Sequence, residues 1–150
     1  LQGADFTFNQ CNFLGYGPGE GSTPAVGISN HYTDAQGITM VAQIPNAVFN
    51  NCVIYGSSGE HLAIDTIQPG GLTLNFRFRN SVILKNNLGN PMFQSCTAAN
   101  PQFINTGQDN FRFYSSSSLS NNANPAYTTA LDIRGEGRGN PADIGVYDIP

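Results

Sequence analysis

Three stretches of this chain can be laid over one another, and that repetition restricts the fold more than any other feature of the sequence. They are Phe6-Thr7-Phe8-Asn9-Gln10-Cys11-Asn12-Phe13-Leu14, Ala47-Val48-Phe49-Asn50-Asn51-Cys52-Val53-Ile54-Tyr55 and Phe76-Arg77-Phe78-Arg79-Asn80-Ser81-Val82-Ile83-Leu84. In each, apolar residues alternate with others, a polar pair and a small residue follow, and alternation resumes. A period of two marks half-buried strands, and the polar pair marks a bend between two of them. No apolar face is sustained at helical spacing.

Strand-bend-strand units recurring at intervals of roughly 20–50 residues suit a chain wound into stacked coils. Phe49 follows Phe8 by about 41 residues, and Phe78 follows Phe49 by about 29. Stacking at ~4.8 Å would pile equivalent side chains on one another. Phe8, Phe49 and Phe78 are predicted to form an internal aromatic stack. Gln10, Asn51 and Asn80 are predicted to point inward as a ladder of amides, each bonded to the next. Cys11, Cys52 and Ser81 make a row of small residues, and Phe13, Ile54 and Ile83 an apolar one. Phe93-Gln94-Ser95-Cys96 matches as well, but it lies only about 15 residues beyond Phe78. It is therefore expected on a different face of the last coil, or in a loop.

The unequal spacing predicts loops of different lengths. The first carries Gly15, Gly17, Pro18, Gly19, Gly21 and Pro24, and is either functional or an ordinary surface insertion. Val53 and Val82, and the row of Leu14, Tyr55 and Leu84, would leave an apolar strip that needs a cover if they point outward. Farther on, Phe111 to Tyr114 reads as an alternating strand. Gly135 to Pro141 reads as a loop, and Asp143-Ile144-Gly145-Val146-Tyr147 as a final short strand. This tail is expected to cover the open edge of the last coil. The expected fold is all-β: a single-stranded right-handed parallel β-helix of three to four coils, with irregular loops and a C-terminal capping tail. The hand follows the general chirality of parallel crossovers. Residues 1–150 form one domain, expected to be the C-terminal portion of a longer β-helix whose coils precede it.

Charged residues make up 11% of the chain, against roughly 25% in ordinary soluble domains. The net charge of −4 and the single lysine, Lys85, argue against nucleic acid as a partner. No apolar run approaches the ~20 residues of a membrane span. Three cysteines exclude a complete disulfide framework and are expected as buried thiols. His31 and His61 lie far apart, and Asp132, Glu136, Asp143 and Asp148 lack the spacing of a calcium loop, so neither a metal nor a cofactor is assigned.

Toward the C-terminus, Asn100-Pro101-Gln102-Phe103-Ile104 precedes Asn110-Phe111-Arg112-Phe113. Asn124-Pro125-Ala126 and the closing Asp143-Ile144-Gly145-Val146-Tyr147 follow. This order resembles the end of bacterial right-handed parallel β-helix proteins of the pectate-lyase-like type. There an Asn/Asp-Pro-x-Phe segment, an aromatic-Arg-Leu strand, a Ser-Pro-Ala segment and an Asp-Ile-Gly-Ala-Tyr-Glu ending come in the same order. Asn124 stands in place of the usual Ser, and Asp148 where Glu is common. The resemblance implies a protein that is secreted, periplasmic or at the cell surface, with a polysaccharide or oligosaccharide as its partner. It does not imply catalysis, because unrelated activities share the fold.

On one predicted outer strip, Asn75, Arg77 and Arg79 alternate with inward apolar residues. Two guanidinium groups ~7 Å apart along a strand can bind a carboxylate or sulfate by forked hydrogen bonds, or simply pair with local acids. Glu60 and His61, with Asp65 nearby, offer a base or a polar loop. Tyr32, in His31-Tyr32-Thr33-Asp34, offers a stacking surface for a sugar or an ordinary loop position. No catalytic residue is assigned. The expected role is an extracellular carbohydrate-associated module, binding or structural in this segment. The alternative is part of a polysaccharide lyase or glycoside hydrolase.

Overall fold

The repeated alternation becomes parallel strands. The computed structural model describes residues 5–17 and 23–149. A first pass of the chain gives β1 (Asp5–Asn9), β2 (Asn12–Gly15) and β3 (Val26–Ser29), then a hairpin of β4 (His31–Thr33) and β5 (Thr39–Val41). A second pass gives β6 (Ile44–Asn50), β7 (Val53–Gly56) and β8 (Leu62–Asp65). A third gives β9 (Leu74–Arg79) and β10 (Val82–Ile83), and a fourth gives β11 (Phe93–Gln94). The hairpin of β12 (Phe103–Asn105) and β13 (Asn110–Phe113) follows. The described residues are all-β, with two short 3-10 turns among them at Thr106–Gln108 and Pro125–Tyr127. No helix among the described residues is long and apolar enough to cross a membrane.

Successive passes add strands to shared sheets, the first two passes to all three, the third to two and the fourth to one. The first sheet is ordered β1-β6-β9-β11, the second β2-β7-β10, and the third pairs β3 with β8; all these pairings are parallel. The register is the one the superposed segments imply: Phe8 opposes Phe49, Phe49 opposes Phe78, and Phe13 and Ile83 both oppose Ile54. The rings of Phe8 and Phe49 lie 5.2 Å apart between centroids, and those of Phe49 and Phe78 lie 4.9 Å apart at 12°. Phe49 and Phe78 are fully buried, each removing enough apolar surface to contribute about 1.5–3 kcal/mol.

Phe93-Gln94-Ser95-Cys96 is not on a different face. β11 pairs in register with β9, Phe93 over Phe78 at 5.2 Å, and makes a fourth level of the stack. The 15-residue spacing suffices because the third pass returns without a strand equivalent to β3 or β8. The long first loop also contributes β3 to the stack, so part of it is framework. Its Pro18, Gly19 and Gly21 lie outside the described residues.

The bends share one local device. Gln10, Asn51, Asn80 and Ser95 have φ of 51°, 51°, 47° and 54°, the left-handed region that turns the strand sharply. The next residue then returns its side chain to the carbonyl two positions back. Cys11 Sγ donates to Asn9, Cys52 Sγ to Asn50 at 3.2 Å, Ser81 Oγ to Arg79 at 2.8 Å, and Cys96 Sγ to Gln94. A short donor at that position is what the row of Cys and Ser supplies. Of the three cysteines only Cys52 is buried; Cys11 and Cys96 are half-buried.

Two glycines make room for one ring. A Cβ on Gly15 or on Gly56 would collide with the buried imidazole of His61, which fills the space after β2 and β7.

The expected inward amide ladder does not form at Gln10, Asn51 and Asn80. Their left-handed backbone aims them at the tail instead. Gln10 Nε2 donates to the Asp143 carbonyl (3.1 Å) and its Oε1 accepts from Thr129 N–H (2.6 Å). Asn51 Nδ2 donates to the Asn124 carbonyl (3.0 Å) and Asn51 Oδ1 accepts from Asn124 N–H (2.8 Å). Asn124 Nδ2 donates to Asn80 Oδ1 (3.2 Å). A side-chain ladder exists one residue earlier: Asn50 Nδ2 donates to Asn9 Oδ1, Arg79 to Asn50 Oδ1, and Arg79 Nε to Gln94 Oε1.

The tail lies along the side of the stack instead of over its end. Val53 and Val82 do point outward, and Phe113, Leu119, Ala123, Ala142 and Ile144 bury them completely. Asp143 to Tyr147 is not a strand. Its backbone groups are taken one at a time by different partners: Ile144 N–H by Leu119, Gly145 N–H by Asn51, and Val146 N–H by Asn12 Oδ1. Its carbonyls accept from the nearly buried Arg138 guanidinium, at 2.9 Å for Gly145 and 3.1 Å for Val146.

Candidate functional site

The turns that leave β2 and β7 face the hairpin of β12 and β13, and a groove of about 510 Å³ runs between them. Tyr16, just after β2, and Tyr55, in β7, form one wall with the turn Ser57-Ser58-Gly59. Asn100, Gln102, Phe103 and Thr106 form the other. A second hollow of about 450 Å³ continues from it, sharing Tyr16, Ser57 and Thr106 and ending at Asp109.

Packing fixes these walls. The Tyr16 ring sits 6.0 Å from Phe103 and 5.7 Å from Phe111, and Phe103 meets Phe111 edge-on at 5.6 Å. The aromatic residues of the Asn-Pro-x-Phe segment and the Asn-Phe-Arg-Phe strand therefore hold the hairpin against the stack. Asn100 Oδ1 accepts from Gln102 N–H (2.7 Å), and Gln102 Oε1 accepts from Ser116 Oγ (2.8 Å). Burial pushes the Tyr16 phenol up to about 12, with Tyr55 beside it adding to the effect, and burial also raises Tyr55. Both phenols stay neutral hydrogen-bonding groups through physiological pH. Among the described lining residues, Asp109 alone carries a formal charge.

Three rings, two amides and several hydroxyls around an open trough suit a polyhydroxylated ligand. Its C–H faces can lie on the rings while its hydroxyls exchange hydrogen bonds with the amides.

The residues singled out in the sequence fall elsewhere. Asn75, Arg77 and Arg79 do lie along β9, but only Arg77 is exposed. Arg79 is tied to Gln94 and Asn50 by the hydrogen bonds above, and its guanidinium lies 5.4 Å over the Tyr127 ring. The two arginines are thus not a free pair.

Glu60, His61 and Asp65 diverge. Glu60 accepts from Lys85 Nζ at 2.6 Å and from Asn86 N–H, interactions that lower its carboxyl pKa, so Lys85 is paired. His61 is turned into the stack, 1% exposed, with Nε2 2.9 Å from the Ser58 carbonyl and Nδ1 unpartnered. Asp65 faces His31 at 3.7 Å. Tyr32 is exposed on β4 opposite Met40 and does not line the groove. No three His, Cys, Asp or Glu side chains among the described residues gather as a metal site.

The groove was missed because its parts are far apart in sequence. One signal was present: extending the superposed segments by two residues yields Leu14-Gly15-Tyr16 and Tyr55-Gly56-Ser57, a tyrosine beside a glycine each time.

No family model matches the chain, and comparison with curated proteins and with solved structures finds no match either.

Proposed function

We propose that this chain is a single-stranded right-handed parallel β-helix of the pectate-lyase-like type. In this reading it is an extracellular module that binds a polysaccharide in the groove between Tyr16, Tyr55 and Phe103. The observation that carries the binding role is the lining itself: aromatic faces and neutral amide and hydroxyl groups around an open trough. A neutral glycan suits that lining better than an acidic one, since the charged group among the described lining residues, Asp109, is an anion. The proposed hand rests on the general chirality of parallel crossovers. Membership of the pectate-lyase-like class rests on the order of motifs from Asn100 to Tyr147.

Catalysis as a lyase or hydrolase has one observation in its favour, the exposed Arg77 on the outer face of β9, which suits a carboxylated sugar. A glycosidase needs two carboxyl groups flanking one bond, about 5–10 Å apart. The described groove residues include a single carboxylate.

Affinity gel electrophoresis against neutral and acidic polysaccharides tests the proposal. A neutral glycan should retard the protein, and Ser57→Trp, which fills the trough from an exposed turn, should abolish retardation without moving the melting temperature. Retardation that survives Ser57→Trp, or that needs an acidic polymer and disappears with Arg77→Ala, would overturn the groove assignment. Release of unsaturated or reducing ends during incubation would favour the catalytic reading.

A further inference from the structure

Cys11 and Cys52 occupy the same position on neighbouring passes of the chain. The register pairs Asn9 with Asn50 and Asn12 with Val53 bracket them, and each follows a left-handed residue, Gln10 or Asn51. Val53 N–H donates to the Cys11 carbonyl at 2.9 Å, so the two peptide units are direct neighbours. Adjacent parallel strands lie about 4.8 Å apart, inside the window of roughly 4.4–6.8 Å that a disulfide requires between its Cα atoms. The side chains leave on the same side. Each thiol reaches the carbonyl two residues back, and both side chains pack into the same apolar core. Cys96 stands apart, because Ser81 occupies the level between it and Cys52, its Oγ accepting from Cys52 N–H at 3.1 Å.

We propose that Cys11 and Cys52 close a disulfide between the first two passes when the protein meets a low-molecular-weight disulfide. The two thiols are suited to different steps. The neighbouring Cys52 thiol outweighs burial and, with the Asn9 backbone, brings the half-buried Cys11 thiol down to about 7. A substantial thiolate fraction therefore exists at neutral pH. Burial raises Cys52 and keeps it protonated. The Cys11 thiolate attacks one sulfur of the small disulfide, forming a mixed disulfide and releasing one thiolate. Cys52 then gives up its proton and attacks Cys11 Sγ, which expels the second small thiol. Two cysteine thiols and one disulfide become one protein disulfide and two small thiols. The pairing also accounts for the odd cysteine: Cys96 remains a thiol.

The test treats the full chain with oxidised glutathione at neutral pH, quenches with acid, denatures, alkylates with iodoacetamide and reads intact mass and linked peptides. Alkylated cysteines should fall from three to one, with Cys96 the one that reacts and a cross-link joining the Cys11 and Cys52 peptides. Without alkylation the oxidised chain should be about 2 Da lighter than the reduced one. Cys96→Ser should lose both of its alkylations, while Cys11→Ser should keep both of its remaining ones. Three alkylated cysteines after oxidation, a lasting glutathione adduct on Cys11, or a cross-link that includes Cys96 would each overturn the proposal.

Discussion

Asn51 joins two demands at one buried position. Its backbone takes the left-handed turn between β6 and β7, and its amide exchanges two hydrogen bonds with the main chain of Asn124. Asn tolerates that backbone better than residues with longer or branched side chains, and its short amide is in reach of a passing strand. Alanine would lose both contributions, leaving the Asn124 groups unpaired, at about 3 kcal/mol. Glycine would lose only the hydrogen bonds and should be about 1 kcal/mol less damaging. Urea midpoints of Asn51→Ala and Asn51→Gly measure the difference; equal losses would mean the turn exerts no conformational demand. Equivalence of positions was legible at this scale, because a two-residue period with a repeated punctuation fixes which residue lies over which. The direction of the bend residues was not. A left-handed backbone redirects Gln10, Asn51 and Asn80 outward, and the residue before them, Asn9, Asn50 or Arg79, takes the place in the ladder.

The C-terminal segment holds its irregular path through ionic and backbone contacts. Asp132 accepts from the N–H groups of Arg134 and Glu136 and from the Arg134 guanidinium at 2.8 Å. Burial would raise its carboxyl, but these donors, with Asp148 N–H, hold it down at about 2. Its folded value lies below the ordinary one, so its contribution is fully present above the ordinary carboxylate range and is lost as pH falls toward about 2. Asp143 acts in the opposite sense. Burial raises it, so its share is present at low pH and declines as pH rises. Arg138 and Asp148 share that pocket. Stability of the wild-type chain should therefore fall between about pH 4 and pH 2, and Asp132→Asn should flatten that part of the profile. Urea midpoints across the window decide it; parallel profiles for the two proteins would contradict the role given to Asp132. The sequence implies that the tail is a cover, but not that it lies along the side of the stack instead of over its end. Its contacts come from single backbone groups and lone side chains with no period to read. The fourth level escapes the spacing argument for a related reason: spacing predicts a whole turn only when every pass contains the same strands, and the third has no equivalent of β3 or β8.

At the scale of the molecule, a stack of parallel strands provides a straight wall, and the hairpin of β12 and β13 turns that wall into a groove. The sequence carried the stack plainly, through Phe8, Phe49 and Phe78. The groove was not legible, because Tyr16 and Tyr55 come from the repeats while Phe103 belongs to the later hairpin. Only the packing of Tyr16 on Phe103 and Phe111 brings them together. Groove, tail and cysteine pair all depend on the register of the stack. Nuclear Overhauser spectra of the chain labelled on phenylalanine rings read that register directly. Cross-peaks should link Phe8 to Phe49, Phe49 to Phe78 and Phe78 to Phe93, whose centroids lie 5.2, 4.9 and 5.2 Å apart, with none between Phe8 and Phe93. A spectrum in which Phe49 contacts neither Phe8 nor Phe78 would contradict the stacking on which everything else is built.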